Sequence, residues 1–169
     1  MNLIVAVTGD WGIGKGGRLL RSIPEDMKFF REKTLNTVVL MGRATLESLP
    51  GGCPLKGRTN FVLSSDRSYQ VSGAVIVHSL DEALEQLRPY DEDKIFIIGG
   101  ASVYKLFLPY CKTAFVTKMG IFPEADKFFP NLDEMENWTL IEQGEPRVFE
   151  EVQYRFTRYE NRQVKRTEE

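Results

Sequence analysis

One histidine and two cysteines are all the imidazole and thiol groups that 169 residues provide. His78 has no second imidazole to work with, so a histidine-based metal centre and a Ser-His-Asp arrangement both lose their support. It follows Val75-Ile76-Val77 and reads as the surface end of a strand. Cys53 and Cys111 lie far apart in no metal-like spacing, which suits two structural thiols in a reduced, cytoplasmic protein. No metal is expected. No apolar run is long enough to span a bilayer, and none has the form of a signal peptide. The net charge of -2 argues against a nucleic-acid partner. The Gly-x-Gly-x-x-Gly fingerprint of an ordinary Rossmann site is also missing. So are repeats, low-complexity segments and any long exposed apolar stripe, and a monomer is expected.

Hydrophobic content of 42% and charged content of 27% are ordinary for a soluble globular protein, so the length suggests one domain with a real core. That domain is expected over residues 1–162, with a charged, frayed tail at 163–169. Short apolar runs predict strands at 2–8, 37–41, 59–64, 74–77, 95–98 and 113–119. Unbroken runs such as Val38-Val39-Leu40-Met41 suit strands buried on both faces. Helices are expected between them at 24–35, 43–49, 80–88 and 101–108. The alternation predicts an α/β fold with a mostly parallel sheet covered on both sides. Ser22-Ile23-Pro24-Glu25 offers a capping box at the start of the first helix, whose Met27, Phe30 and Leu35 would share a face. Trp138–Gln143 and Val152–Glu160 read as an antiparallel hairpin joined around Gly144-Glu145-Pro146.

Four features could carry chemistry. The run Ile95-Phe96-Ile97-Ile98 stops at Gly99-Gly100, and a helical segment from Ala101 follows at once. Backbone without a Cβ can approach a ligand closely, and free helix N–H groups favour an anion. Taken alone, the pair reads equally well as a tight turn. A second such junction, Met41-Gly42-Arg43, adds a guanidinium at a helix start. Two junctions in one sheet favour a dinucleotide over either alone. The loop Gly9–Arg18 has five glycines in ten residues and follows the first strand, where open α/β sheets bind ligands. Its composition suits a mobile lid, and Trp11 and Ile13 within it are apolar enough to need a purpose. The fourth feature is an acid in the first turn of the first helix, where the dipole favours it. Asp26, among Ile23, Met27, Phe29 and Phe30, could grip an amidine-like pair of donors, with Glu25 an equal competitor.

Trp11-Gly12-Ile13-Gly14, Ile23-Pro24-Glu25-Asp26-Met27-Lys28-Phe29-Phe30 and Met41-Gly42-Arg43-Ala44-Thr45 occur in that order. Leu55-Lys56-Gly57-Arg58, Leu63-Ser64-Ser65, Ile98-Gly99-Gly100 with Val103-Tyr104, Thr117 and Asp126–Pro130 follow. Together, and at this spacing, they resemble the dihydrofolate reductases over roughly residues 1–160. The resemblance implies that Asp26 grips the 2-amino group and ring nitrogen of a pterin, supported by Thr117. It implies pocket walls at Ile4, Val5, Ala6, Met27, Phe30, Leu49, Leu55 and Ile98, and Arg58 on the α-carboxylate of a glutamyl tail. NADPH would lie against Ala6, Ile13 and Gly14, against Gly42, Arg43, Ala44 and Thr45, and against Leu63, Ser64 and Ser65. It would also meet Ile98, Gly99, Gly100, Ala101, Ser102, Val103 and Tyr104. The family's glycine pair carries a cis peptide, so one is expected at Gly99-Gly100.

The implied reaction is hydride transfer from NADPH to C6 of dihydrofolate, with a proton reaching N5. The chain also departs from the family's commonest pattern. Arg21, after Leu20, stands where a tryptophan is frequent, Ala44 where a histidine can occur, and Ser102 where a second group for the 2′-phosphate is common. Preference for NADPH would then rest on Arg43 and Ser64–Arg67, within which Asp66 repels a phosphate. Two other readings stay open: a reductase of a related pteridine or pyrimidine, and a pterin or nucleotide binder without catalysis.

Overall fold

The computed structural model describes residues 1–166. A nine-stranded sheet forms its centre. β1 (Asn2–Val7), β3 (Val38–Gly42), β4 (Thr59–Leu63), β5 (Ala74–Val77), β6 (Ile95–Gly99) and β7 (Thr113–Met119) are its parallel strands. β11 (Val152–Asn161) closes the sheet antiparallel to β7, β10 (Arg147–Phe149) pairs with its outer edge, and the order is β10-β11-β7-β1-β6-β3-β4-β5. Four helices follow strands or lead into them: α1 (Pro24–Thr34), α2 (Arg43–Ser48), α3 (Leu80–Leu87) and α4 (Ala101–Phe107). None is long and apolar enough to cross a membrane.

Period-two alternation divides the central strands between two cores. Leu3, Val5, Val38, Leu40, Ile95 and Ile97 pack on one face with Ala83 and Leu87 of α3 and Val103 and Phe107 of α4. Ile4, Val39, Met41 and Phe96 pack on the other with Phe29 and Phe30 of α1 and Leu46 of α2. Both faces are therefore covered, as the unbroken apolar runs require.

The sequence expectations differ from the structure at several points. No side chain caps α1: its N-cap is Ile23, and the Ser22 hydroxyl donates instead to Met27 Sδ at 3.0 Å. Glu25, the other half of the expected capping box, is drawn away to the C-terminal strands. Those strands do not turn around at Gly144-Glu145-Pro146. β9 (Trp138–Gln143) and β10 (Arg147–Phe149) both pair antiparallel with β11, end to end along one edge, and that segment only joins them. The reversal lies at Glu150 and Glu151, both with positive φ (44° and 68°), as a two-residue hairpin turn requires. Of the two cysteines only Cys111 is structural, its thiol pushed up to about 12 by burial, whereas Cys53 is exposed.

The loop after β1 is divided. Trp11 is buried against Phe129 and Tyr159, with the Lys118 ammonium 5.1 Å from its ring. β2 (Gly12–Gly14) then pairs with β8 (Lys127–Phe128). Lys15–Leu19 is exposed throughout, held at its base by Gly16 N–H donating to Asp126 at 2.9 Å and by Lys15 paired with Glu124. In the expected tail, Lys165 N–H donates to the Pro109 carbonyl at 2.8 Å and its ammonium lies over Tyr110. Residues 167–169 of that tail lie outside the described residues.

Candidate active site

β1 and β6 are neighbours only at their beginnings. β1 stays in register with β7 from Asn2 to Val7 but pairs with β6 only at Asn2 and Leu3. From Ile4 onward the two strands part, and Ile98 bulges where β6 shifts register against β3. A cleft opens there, at the carboxyl ends of the strands. The Ile4 carbonyl accepts the Tyr104 hydroxyl at 2.7 Å.

α1 forms one wall of this cleft. Its first turn carries two adjacent acids that face different ways. Asp26 Oδ1 accepts the Thr117 hydroxyl at 2.6 Å. Thr117 is buried on β7, level with Ala6 of β1 and Phe156 of β11. Glu25 instead accepts the Tyr154 hydroxyl at 2.6 Å and pairs with Arg147 on β10. Burial raises the Asp26 carboxyl above its ordinary value, and the Thr117 hydrogen bond pulls part of the way back. Burial also raises the Tyr104 phenol, with a smaller push from the Asp26 charge.

Ile4, Phe30, Leu49, Leu55 and Ile98 belong to one apolar cluster, with all but Ile4 only half-buried. Ala6 packs into the neighbouring cluster with Ile23 and Tyr154. Met27 stands at the rim, 61% exposed. Val5 differs from the other expected wall residues. Its side chain lies in the opposite core with Leu3 and Val7, because consecutive strand residues point to opposite faces. Only its backbone is available to the cleft.

Arg58 lies at the far end of α1. Its Nε donates to Thr34 Oγ1 at 3.2 Å and its Nη1 to the Lys56 carbonyl at 2.8 Å. Thr34 is eight residues after Asp26, about 12 Å along the helix. Burial lowers the Arg58 guanidinium, and so does the neighbouring Arg31. Arg31 is a cation that sequence reasoning missed: in the last turn of a helix it reads only as a complement to the dipole. Arg21, where a tryptophan is frequent in the family, turns toward the C-terminal hairpin. Its guanidinium pairs with Glu150 at 2.6 Å and stacks 5.6 Å from the Phe149 ring, while its buried Nε has no hydrogen-bond partner.

The two glycine junctions meet on the other side of β6. The Gly99-Gly100 peptide is cis. A Cβ added to Gly42 would lie 3.0 Å from Val103 Cγ2, one on Gly100 3.4 Å from Thr45 Oγ1, and one on Gly99 3.3 Å from the Tyr104 ring. A side chain would be tight at Gly42 and at Gly99, whose φ of 126° also favours glycine, whereas at Gly100 it would make ordinary contact. Ala101, Val103 and Tyr104 begin α4; Arg43, Ala44 and Thr45 begin α2. Ser64 and Ser65 follow β4, whose Leu63 packs toward the α4 core. Ser65 and Ser102 are exposed; Ser64 is buried and its hydroxyl oxygen accepts Asp66 N–H at 3.2 Å. Ile13 and Gly14 lie in β2, with Ile13 packed on the same core. Glycine backbone and hydroxyls thus lie together at the starts of α2 and α4, with Arg43 beside them. Among the described residues no group of acids, histidines and cysteines could hold a metal.

A family model described as dihydrofolate reductase matches residues 1–162. The dihydrofolate reductase of Neisseria gonorrhoeae is 38% identical over 160 residues, covering 94% of this chain and 96% of its own. That of Mycobacterium tuberculosis is 41% identical over 138 residues, covering 79% and 82%. The bifunctional dihydrofolate reductase-thymidylate synthase of Glycine max is 37% identical over 177 residues, and the chain spans about a third of that protein's length (33%). Among solved structures, dihydrofolate reductase from Enterococcus faecalis complexed with NADP(H) and RAB-propyl superposes with a TM-score of 0.84. It is 33% identical and covers 95% of each chain.

Proposed function

Because the chain belongs to the dihydrofolate reductase family, we propose that it reduces 7,8-dihydrofolate to 5,6,7,8-tetrahydrofolate with NADPH. The observation that carries this reading is the Asp26–Thr117 pair at the head of a cleft opened between β1 and β6. An ionised Asp26 accepts two parallel hydrogen bonds from the 2-amino group and ring nitrogen of the pterin. The Thr117 hydroxyl takes one lone pair of Oδ1 and orients the carboxylate, leaving an acceptor site on each oxygen for that contact. Ile4, Phe30, Leu49, Leu55 and Ile98 enclose the ring and the segment beyond it, and Arg58, with Arg31 beside it, takes the tail carboxylate.

Gly42, Arg43, Thr45, Ser65, Gly99, Gly100 and Ser102 would hold NADPH. When bound, it supplies the hydride for C6. The protein's part is to hold the two ring systems together and keep water out. Asp26 sits where its charge favours a protonated pterin; the proton for N5 arrives through solvent at the exposed rim rather than from the carboxyl itself. The protein acts as a cytoplasmic monomer without a nucleic-acid partner, in one catalytic domain over residues 1–162.

Purified protein mixed with NADPH and dihydrofolate tests the proposal through loss of the reduced-nicotinamide signal. Turnover is expected, and Arg43→Ala should weaken NADPH binding while hardly changing NADH. Tight dihydrofolate binding without turnover would make the protein a binder. Turnover only with another pteridine would move the substrate assignment.

A further inference from the structure

We infer that Asp66 holds Arg43 in a partly neutralised state and so limits how strongly the protein prefers a cofactor carrying a 2′-phosphate; this rests on the NADPH reading above. Arg43 is already engaged. Its Nε donates to Glu47 at 2.8 Å, its Nη1 lies 3.4 Å from Asp66 Oδ2, and its guanidinium carbon is 4.1 Å from the Tyr69 ring centroid. The Asp66 side chain is presented by a built turn. Its Oδ1 accepts both Ser68 N–H, at 2.9 Å, and the Ser68 hydroxyl, at 2.6 Å, while its backbone carbonyl accepts Tyr69 N–H. One carboxylate oxygen is therefore fixed in the loop and the other is aimed at Arg43. The Ser68 hydrogen bonds also hold the carboxyl below its ordinary value, which keeps it ionised.

One guanidinium between two carboxylates leaves the group with a net charge of -1. A dianionic 2′-phosphate at Arg43 must displace Asp66 or lie beside it, and either weakens the attraction. A cofactor without that phosphate meets no such competition. Asp66 thus acts on one cofactor and not the other, which defines a specificity-determining residue.

Binding of 2′,5′-ADP and of 5′-AMP, measured by titration calorimetry, reads this without turnover. Asp66→Asn keeps an acceptor for Ser68 while removing the charge. It should bind 2′,5′-ADP about three- to tenfold more tightly than the unmodified protein, with 5′-AMP changed by less than about twofold. Glu47→Gln should act in the same direction from the other side of Arg43. Both gains should shrink in high salt, because the groups are exposed. Unchanged or weaker 2′,5′-ADP binding in both variants, or equal gains for both probes, would overturn the inference. Failure of the unmodified protein to oxidise NADPH with dihydrofolate would instead overturn the functional reading.

Discussion

Asp26 carries two opposing influences, burial raising its carboxyl and the Thr117 hydroxyl lowering it, with burial the larger. The sign of the stability effect follows. The unfolded chain ionises this group near its ordinary value of 3.8, and the folded chain ionises it only at higher pH. The folded state therefore holds the proton more tightly, and ionised Asp26 destabilises it. That penalty is absent below pH 3.8, grows as pH rises through the folded value and is complete above it. Asp26→Asn should accordingly be more stable than the parent at pH 7, with the difference closing toward pH 3.8. Thermal unfolding across that range checks it; a variant less stable at pH 7 would contradict it. Thr117→Val removes the one side-chain donor lowering the carboxyl. It should push Asp26 higher still and lose about 1–2 kcal/mol at pH 7, measured by urea unfolding. At this scale the sequence was only half legible. The residues themselves left Asp26 and Glu25 as equals. What separates them is which strand each meets, β7 or β10 with β11, and no local pattern encodes that.

The C-terminal hairpin explains where Glu25 goes. Arg147 and Tyr154 hold Glu25 at the start of α1, and Glu150 at the hairpin turn holds Arg21 just before it. Phe29 of α1 packs at 4.8 Å on Phe156 of β11. β10 and β11 thus grip the helix turn that carries Asp26, without touching Asp26 through Glu25. Tyr154→Phe should destabilise by about 0.5–1.5 kcal/mol by chemical denaturation. A double-mutant cycle of Glu25→Gln with Arg147→Ala should give a coupling of about 0.2–1 kcal/mol, since both side chains are near half exposed. Glu25→Gln should lose far less turnover than Asp26→Asn; equal losses would return Glu25 to contention. Elements were legible where period and length agreed, as in β3, β6, α2 and α4. They were not where tertiary partners outbid local ones. The Ser22/Glu25 capping box failed because Glu25 had Arg147 and Tyr154 to bind. The hairpin turn was misplaced because Gly144-Pro146 looks more like a turn than Glu150-Glu151, two acids in a left-handed conformation.

Across the whole molecule, function depends on a sheet that is closed on one side of β1 and split on the other. β7 pairs along the full length of β1, and β6 leaves it after Leu3. Asp26, Thr117 and the apolar residues proposed for the substrate lie on one side of the split, and the glycine junctions before α2 and α4 on the other. The sequence indicated both sets of residues, mainly through the family resemblance, but strand order and the point of divergence are long-range properties invisible to local pattern. The closeness of the two junctions can be probed. Gly42→Ala places a methyl 3.0 Å from Val103 Cγ2 and should lose about 1–3 kcal/mol by denaturation, with weaker NADPH binding. A neutral substitution would mean the junctions are looser than described.

The most direct measurement is the single-turnover rate of NADPH oxidation by dihydrofolate, followed from acid to alkaline pH in the parent protein and in Asp26→Asn. The parent rate should fall as pH rises and the bound pterin, whose protonated form the ionised Asp26 favours, loses its proton. The variant should be slower at neutral pH by about 10²–10⁴-fold and recover toward acid, where the substrate ring takes its own proton. A variant as fast as the parent at neutral pH, with an unchanged pH profile, would contradict the assignment of Asp26 at the centre of this site.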